Sequence, residues 1–137
     1  MFKLDPRLKA DTHFILQWPL SQVLLMDDRR YPWLILVPAR FNISEPFDLA
    51  AEEQALLSRE TMVLGEFMKE NFAADKVNIA ALGNVVPQLH VHVIARFEDD
   101  DTFPSPVWGL GQAERYELSA RASLVETLQV RLKGIDP

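Results

Sequence analysis

The sequence predicts an α+β domain: an antiparallel sheet of about five strands, with one long helix and a C-terminal helix packed on it. Three observations carry this. Short apolar runs follow one another with brief connections, and parallel neighbours would need longer crossovers. One segment of about 23 residues, 48–70, keeps a helical period of 3.6. The tail, residues 117–133, shows a second amphipathic pattern.

In chain order, residues 14–18 form an apolar run that stops at Pro19, and residues 22–26 form the next. Asp27 to Pro32 reads as a turn, and residues 33–37 as a strand buried on both faces because they are continuously apolar. Asp48 is the expected N-cap of the long helix, with Glu52 and Glu53 favoured near its positive end. Leu49, Leu56, Leu57, Val63, Leu64, Phe67 and Met68 form its apolar stripe; Glu52, Arg59, Glu66 and Glu70 fall opposite. Val77, Ile79 and Ala81 alternate as a fourth strand. Gly83-Asn84 marks a turn or a close backbone approach. Residues 88–97 form the fifth strand, and residues 99–112, with two prolines and two glycines, form a loop.

Size and charge narrow the function. The 137 residues suit one domain, residues 1–137, with a real core. No run approaches the ~18–20 apolar residues of a membrane span, and the start lacks a signal-peptide layout. There is no cysteine, so disulfides and thiolate metal sites are excluded. The expected location is the cytoplasm. A net charge of −6 argues against binding a nucleic acid polymer, though not against a single nucleotide held by local donors.

The fifth strand carries the chemistry. Alternation sends Leu89, Val91, Val93, Ala95 and Phe97 to one face, and Gln88, His90, His92, Ile94 and Arg96 to the other. Neighbours on a face lie ~6.5–7 Å apart. Two of the three histidines in the chain are in this row. The row admits three readings: an exposed polar face with incidental histidines; a metal site, which would want a third ligand such as His13; or nucleophilic or acid–base catalysis by imidazole.

Gln88-Leu89-His90-Val91-His92-Val93-Ile94 resembles the motif of the histidine-triad family, in which three histidines alternate with hydrophobic residues. Asn78 and then Gly83-Asn84-Val85-Val86 resemble the family's lead-in, Ala95-Arg96 its frequent Pro-Arg, and Leu34-Ile35-Leu36-Val37-Pro38 its strand before the long helix. The likeness spans roughly residues 22–97. It departs at the first triad position, which is Gln88, at Asn84 in place of glutamine, and at Trp33, where some members have another histidine.

The resemblance implies a nucleotide hydrolase or nucleotidyl transferase in which His90 attacks the α-phosphate of a nucleotide conjugate, such as a dinucleoside polyphosphate or a nucleoside phosphoramidate. His92, Gln88, Asn84 and backbone N–H groups near Gly83 are the expected phosphate donors; His92 could instead protonate the leaving group. Asp27 is a candidate for the ribose hydroxyls or a plain turn residue, and Asn78 a weaker site candidate. No cofactor is required, although a divalent cation could accompany a polyphosphate. The family also implies a homodimer joined through sheet edges. Arg96 reads as a surface arginine more than a phosphate ligand, residues 98–101 as a solvated acidic run, and His13 as an ordinary hydrogen-bonded histidine. Trp108 fits either a pocket cap or a dimer contact. The rival reading is a nucleotide-binding module with weak or lost catalysis, to which Gln88 lends weight.

Overall fold

Each apolar run becomes a strand. The structure, a computed structural model, describes residues 1–137. Strands β1 (Thr12–Gln17), β2 (Ser21–Met26) and β3 (Trp33–Pro38) form a meander. Helix α2 (Ala51–Asn71) then carries the chain to the far edge, where β4 (Lys76–Ala80) lies, and β5 (Val91–Arg96) fills the gap between β4 and β3. The order is β1-β2-β3-β5-β4, and every neighbouring pair is antiparallel. Helix α3 (Leu118–Lys133) ends the chain.

The α+β architecture is therefore as the sequence predicts. All six residues of β3 and all six of β5 are buried, as befits the two innermost positions of the chemistry-bearing half of the sheet. Alternation divides them. Leu34, Leu36, Val91, Val93 and Ala95 join Leu57, Leu64 and Met68 of α2 and Leu128 and Leu132 of α3 in the larger core. Trp33, Ile35, Val37 and Ile94 face the other way, into a smaller core with Leu8, Leu24, Tyr31 and Val107.

Several local expectations are corrected. Asp48 does not cap α2. It closes a 3₁₀ turn, Pro46–Asp48, by accepting from the Glu45 N–H (2.9 Å), and the first N–H before α2, that of Ala50, is met by Glu53 (3.3 Å). A six-residue helix, α1 (Pro6–Asp11), precedes β1; it starts with Asp5 accepting from Arg7 N–H (2.8 Å) and Pro6 in its first turn. Such a helix is too short to show a period. Glu60 lies on the buried side of α2, where its Oε2 accepts from the Leu20 N–H (2.8 Å) and burial pushes its carboxyl up.

Arg96 is the largest departure. It is no surface residue: 1% of it is exposed. Its guanidinium donates to both Asp100 oxygens (2.9 and 3.1 Å), to Asn78 Oδ1 (2.9 Å), to Thr102 Oγ1 (3.1 Å) and to the Ser105 carbonyl (2.9 Å). The side chain of Asp100, expected in solvent, is covered with it. Burial alone would raise the Asp100 carboxyl. Arg96 and the N–H groups of Phe97, Phe103 and Thr102 outweigh that and hold it at about 2, below its ordinary 3.8. This node fixes the loop that follows β5 over the smaller core.

Replacing Arg96 by alanine leaves the Asp100 charge buried and unpaired, and should cost about 3–5 kcal/mol in urea unfolding at pH 7. Because the carboxyl is depressed in the folded state, its contribution is present above pH 4 and is lost as the pH falls toward about 2. The stability gap between the native protein and Asp100→Asn should close over that window; a gap independent of pH would show that the Asp100 charge is not what stabilises the loop.

Candidate functional site

The regular part of β5 begins at Val91, so Gln88, Leu89 and His90 lie on the approach to it. That approach is pinned where the Leu89 N–H donates to the Ile43 carbonyl (2.9 Å). The histidine face is covered, not exposed: 7% of His90 and 4% of His92 are accessible.

The hydrogen bonds fix both rings. His90 Nδ1 lies 2.7 Å from the Gln88 carbonyl oxygen, which can only accept. Nδ1 therefore carries the hydrogen, and Nε2 of the neutral ring has the lone pair. His92 has the opposite arrangement. The Trp33 indole N–H, which can only donate, meets His92 Nδ1 at 3.1 Å, so the neutral ring carries its hydrogen on Nε2. Sheet register puts the two in reach: Ile35 pairs with His92 and Trp33 with Ile94, which makes Trp33 a diagonal neighbour of His92.

The two imidazoles stand edge to face, centroids 4.8 Å apart. Trp33 at 5.6 Å and Trp108 at 5.0 Å close around His92, and the two indoles meet edge to face at 5.9 Å. Burial, and then the neighbouring His90, lower the His92 pKa from 6.5 to about 3. His92 is thus a neutral hydrogen-bond donor at any ordinary pH.

Trp108 reaches this place because the loop carrying it is held at several points. One is the Arg96 node, which also takes up the Oδ1 of Asn78. Another is Asp28, buried beneath Arg30 with contacts of 3.0 and 2.8 Å; Arg30 in turn donates to the Leu110 carbonyl (3.2 Å). A third is Asp27. Its Oδ1 accepts from the Tyr116 N–H (2.9 Å), and its Oδ2 lies against His13 Nε2 (2.8 Å) and Arg115 (3.0 Å). Burial would raise the Asp27 carboxyl, but bonds from His13, Tyr116 and Arg115 prevail and lower it. Asp27, Asn78 and His13 are thus engaged in holding segments together.

Gln88 is also engaged. Its Oε1 accepts from the Asp5 N–H (2.8 Å) and its Nε2 donates to the Lys3 carbonyl (2.9 Å), which lays the N-terminal segment beside the histidines. One Nε2 hydrogen is left over. Gly83, at φ +75°, turns the β4–β5 connection, and Asn84 beside it is exposed. Arg7 ties this connection to α1 by donating to the Val85 carbonyl (2.7 Å). No group of three His, Asp or Glu side chains gathers as a metal site. No helix is long and apolar enough to cross a membrane.

Trp108 takes the first of its two expected places, as a cap over His92. The donor role of Trp33 is new; alternation along β3 puts it on the histidine face, but only the sheet register brings it to His92.

Comparison with known proteins bears on the fold and the family. The HIT domain pattern matches residues 7–99. A histidine triad protein from Sinorhizobium meliloti 1021 is 46% identical, with 95% of this chain and 96% of that one covered and a TM-score of 0.91. One from Marinobacter aquaeolei VT8 is 46% identical, covering 97% of each chain, TM-score 0.94. One from Bradyrhizobium japonicum is 44% identical over 94% and 96%, TM-score 0.90. No curated protein matches the chain. The HIT fold supports a nucleotide-binding, hydrolase or transferase role, and with the family pattern matched over residues 7–99 this chain belongs to the HIT domain family.

Proposed function

We propose that the protein is a nucleotide hydrolase or nucleotidyl transferase that works through a nucleotidyl-His90 intermediate. The observation that carries the reading is the opposed tautomers of the two histidines: a lone pair on His90 Nε2 and a hydrogen on His92 Nε2. One can attack phosphorus while the other receives charge on a non-bridging oxygen.

In the first step the His90 Nε2 lone pair forms a bond to the α-phosphorus. The bond to the leaving group breaks, and its electron pair departs with that group, which takes a proton from solvent. His90 is then a substituted imidazolium, its Nδ1–H still held by the Gln88 carbonyl. In the second step water, or another acceptor, attacks phosphorus and loses a proton, and the P–N electron pair returns to Nε2. His92 donates its Nε2–H throughout and never needs to ionise. With a polyphosphate, a divalent ion would arrive paired to the substrate. Gly83, Asn84 and the free Nε2 hydrogen of Gln88 are the further donors proposed for the phosphate; Asp27 and Asn78 would serve indirectly, by fixing the loop.

A second reading, nucleotide binding with weak catalysis, is favoured by one observation: Gln88 spends its carbonyl and one hydrogen on the N-terminal segment. The proposed homodimer would join two chains along β4. That strand is one of the two edges of the sheet, Ile79 on it and Met62 on α2 are exposed, and both line one groove with Gly65. Light scattering should give a mass of two chains for the native protein and one for Ile79→Lys.

Turnover tests the chemistry. An adenosine phosphoramidate and a diadenosine polyphosphate should release AMP with the native protein. His90→Ala should fall on the order of 10³-fold or more, and His92→Ala about 10²–10³-fold. Acid-quenched protein should carry AMP on His90. Absence of both AMP release and the adduct, with AMP still bound, would select the binding module.

The tautomers are open to direct measurement. Long-range proton–nitrogen NMR should find the His92 ring neutral from pH 8 down to about 4, with its hydrogen on Nε2. Trp33→Phe removes the donor to Nδ1, and should raise the His92 pKa and mix its tautomers. A ring that titrates near its ordinary value in the native protein would remove the proposed division of roles.

A further inference from the structure

A cavity of about 880 Å³ lies at the β1 edge of the sheet, between the N-terminal segment, β1, β2 and α3. Its floor and sides are apolar: Leu4, Pro6, Leu24 and Val125, with Phe14 left 52% exposed. Its charged walls are Lys3, Lys9 and Arg121, and no carboxylate lines it. None of these three side chains enters an ion pair, and none donates a hydrogen bond within the protein. In a chain of net charge −6, three unpaired cations about one concavity are a local reversal of sign. Ligand cavities commonly fall at ~300–1,000 Å³, with apolar walls and a few placed polar groups.

We propose that this cavity is a binding site for a multiply charged organic phosphate, its aromatic or apolar part lying on Phe14 and its charges meeting Lys3, Lys9 and Arg121. Converging lysine and arginine donors suit phosphate oxygens. The ring of Phe14 supplies a face on which a flat group can stack. The site is separate from the histidines. Leu24 pairs with Ile35 and Ile35 with His92, so the cavity floor lies two strands from His92, about 10 Å at ~4.8 Å per strand. One wall is shared, because Lys3 and Leu4 belong to the segment that Gln88 grips. The ligand is either the far end of a bound nucleotide conjugate or an independent organic phosphate. The site itself does not require His90 to be a nucleophile.

The test titrates 1-naphthyl phosphate into native protein and follows backbone amides by NMR. Saturable shifts are expected at Lys9, Phe14, Gln22 and Arg121. Lys9→Glu combined with Arg121→Glu should weaken binding at least tenfold, as should Phe14→Ser, while His90→Ala leaves it unchanged. 1-Naphthol, which lacks the charge, should bind at least tenfold more weakly. Failure to saturate, shifts confined to residues 83–92, or charge reversal without effect would overturn the proposal. Diadenosine tetraphosphate added to His90→Ala protein separates the two sources. Shifts at both the cavity and the histidines with one stoichiometry identify the far end of a conjugate; naphthyl phosphate binding beside it without competition identifies an independent ligand. If diadenosine tetraphosphate does not bind at all, the nucleotide reading fails and the naphthyl phosphate result still decides the cavity.

Discussion

Arg96 carries a full charge where water does not reach, and the structure is arranged around satisfying it. A buried cation is tolerated only when its donors are met and its charge is matched. Asp100, Asn78, Thr102 and Ser105 do this from a neighbouring strand and from the chain just beyond β5. To do so, that chain must fold back over the sheet. The same path carries Val107 into the smaller core and Trp108 against His92. Loss of water around His92 is what keeps the imidazole uncharged. An ion pair at one end of β5 thus sets the protonation state of a ring four residues earlier on the same face.

The two histidines differ because different partners hold them. A backbone carbonyl asks Nδ1 of His90 for a hydrogen, and an indole N–H offers one to Nδ1 of His92. Neither preference is a property of histidine itself. On one short stretch of chain the neutral rings thereby present a bare ring nitrogen and a donor N–H side by side. The carboxylates of Asp27 and Asp28 play the complementary part away from the rings, each gripping groups from the segment that leads to α3.

Much of the fold was legible because its determinants are local. The period-two row in β5 assigned every side chain to its correct face, and the continuous apolar run of β3 announced burial on both sides. The histidine strand was found by the same alternation. What escaped depends on distant chain. Alternation put Arg96 beside the histidines, but whether that face meets water is decided by a loop whose path sequence does not encode locally. Asp100 sat in a run of four acids, and only the guanidinium singles it out. Asp48 has the right chemistry for a cap, but it closes the 3₁₀ turn that lies just before α2. Asp27 illustrates the limit for function: a carboxylate at a strand end suits sugar hydroxyls or protein donors equally, and only the fold reveals that three protein donors have reached it.

Gln88 grips Lys3 and Asp5 through the carbonyl of one and the N–H of the other, the two groups that flank Leu4. Those are the atoms an adjacent strand would use. The side-chain amide therefore stands in for the N–H and C=O of one strand residue, and adds a single rung of ladder between the start of the chain and the strand of the histidines. Such a rung reads main chain, so it makes no demand of its own on the side chains of residues 3–5. An imidazole at the same place could not copy it, because its two nitrogens point apart across the ring, whereas the oxygen and one N–H of an amide lie side by side. Glutamine here exchanges a possible charge for a mechanical join.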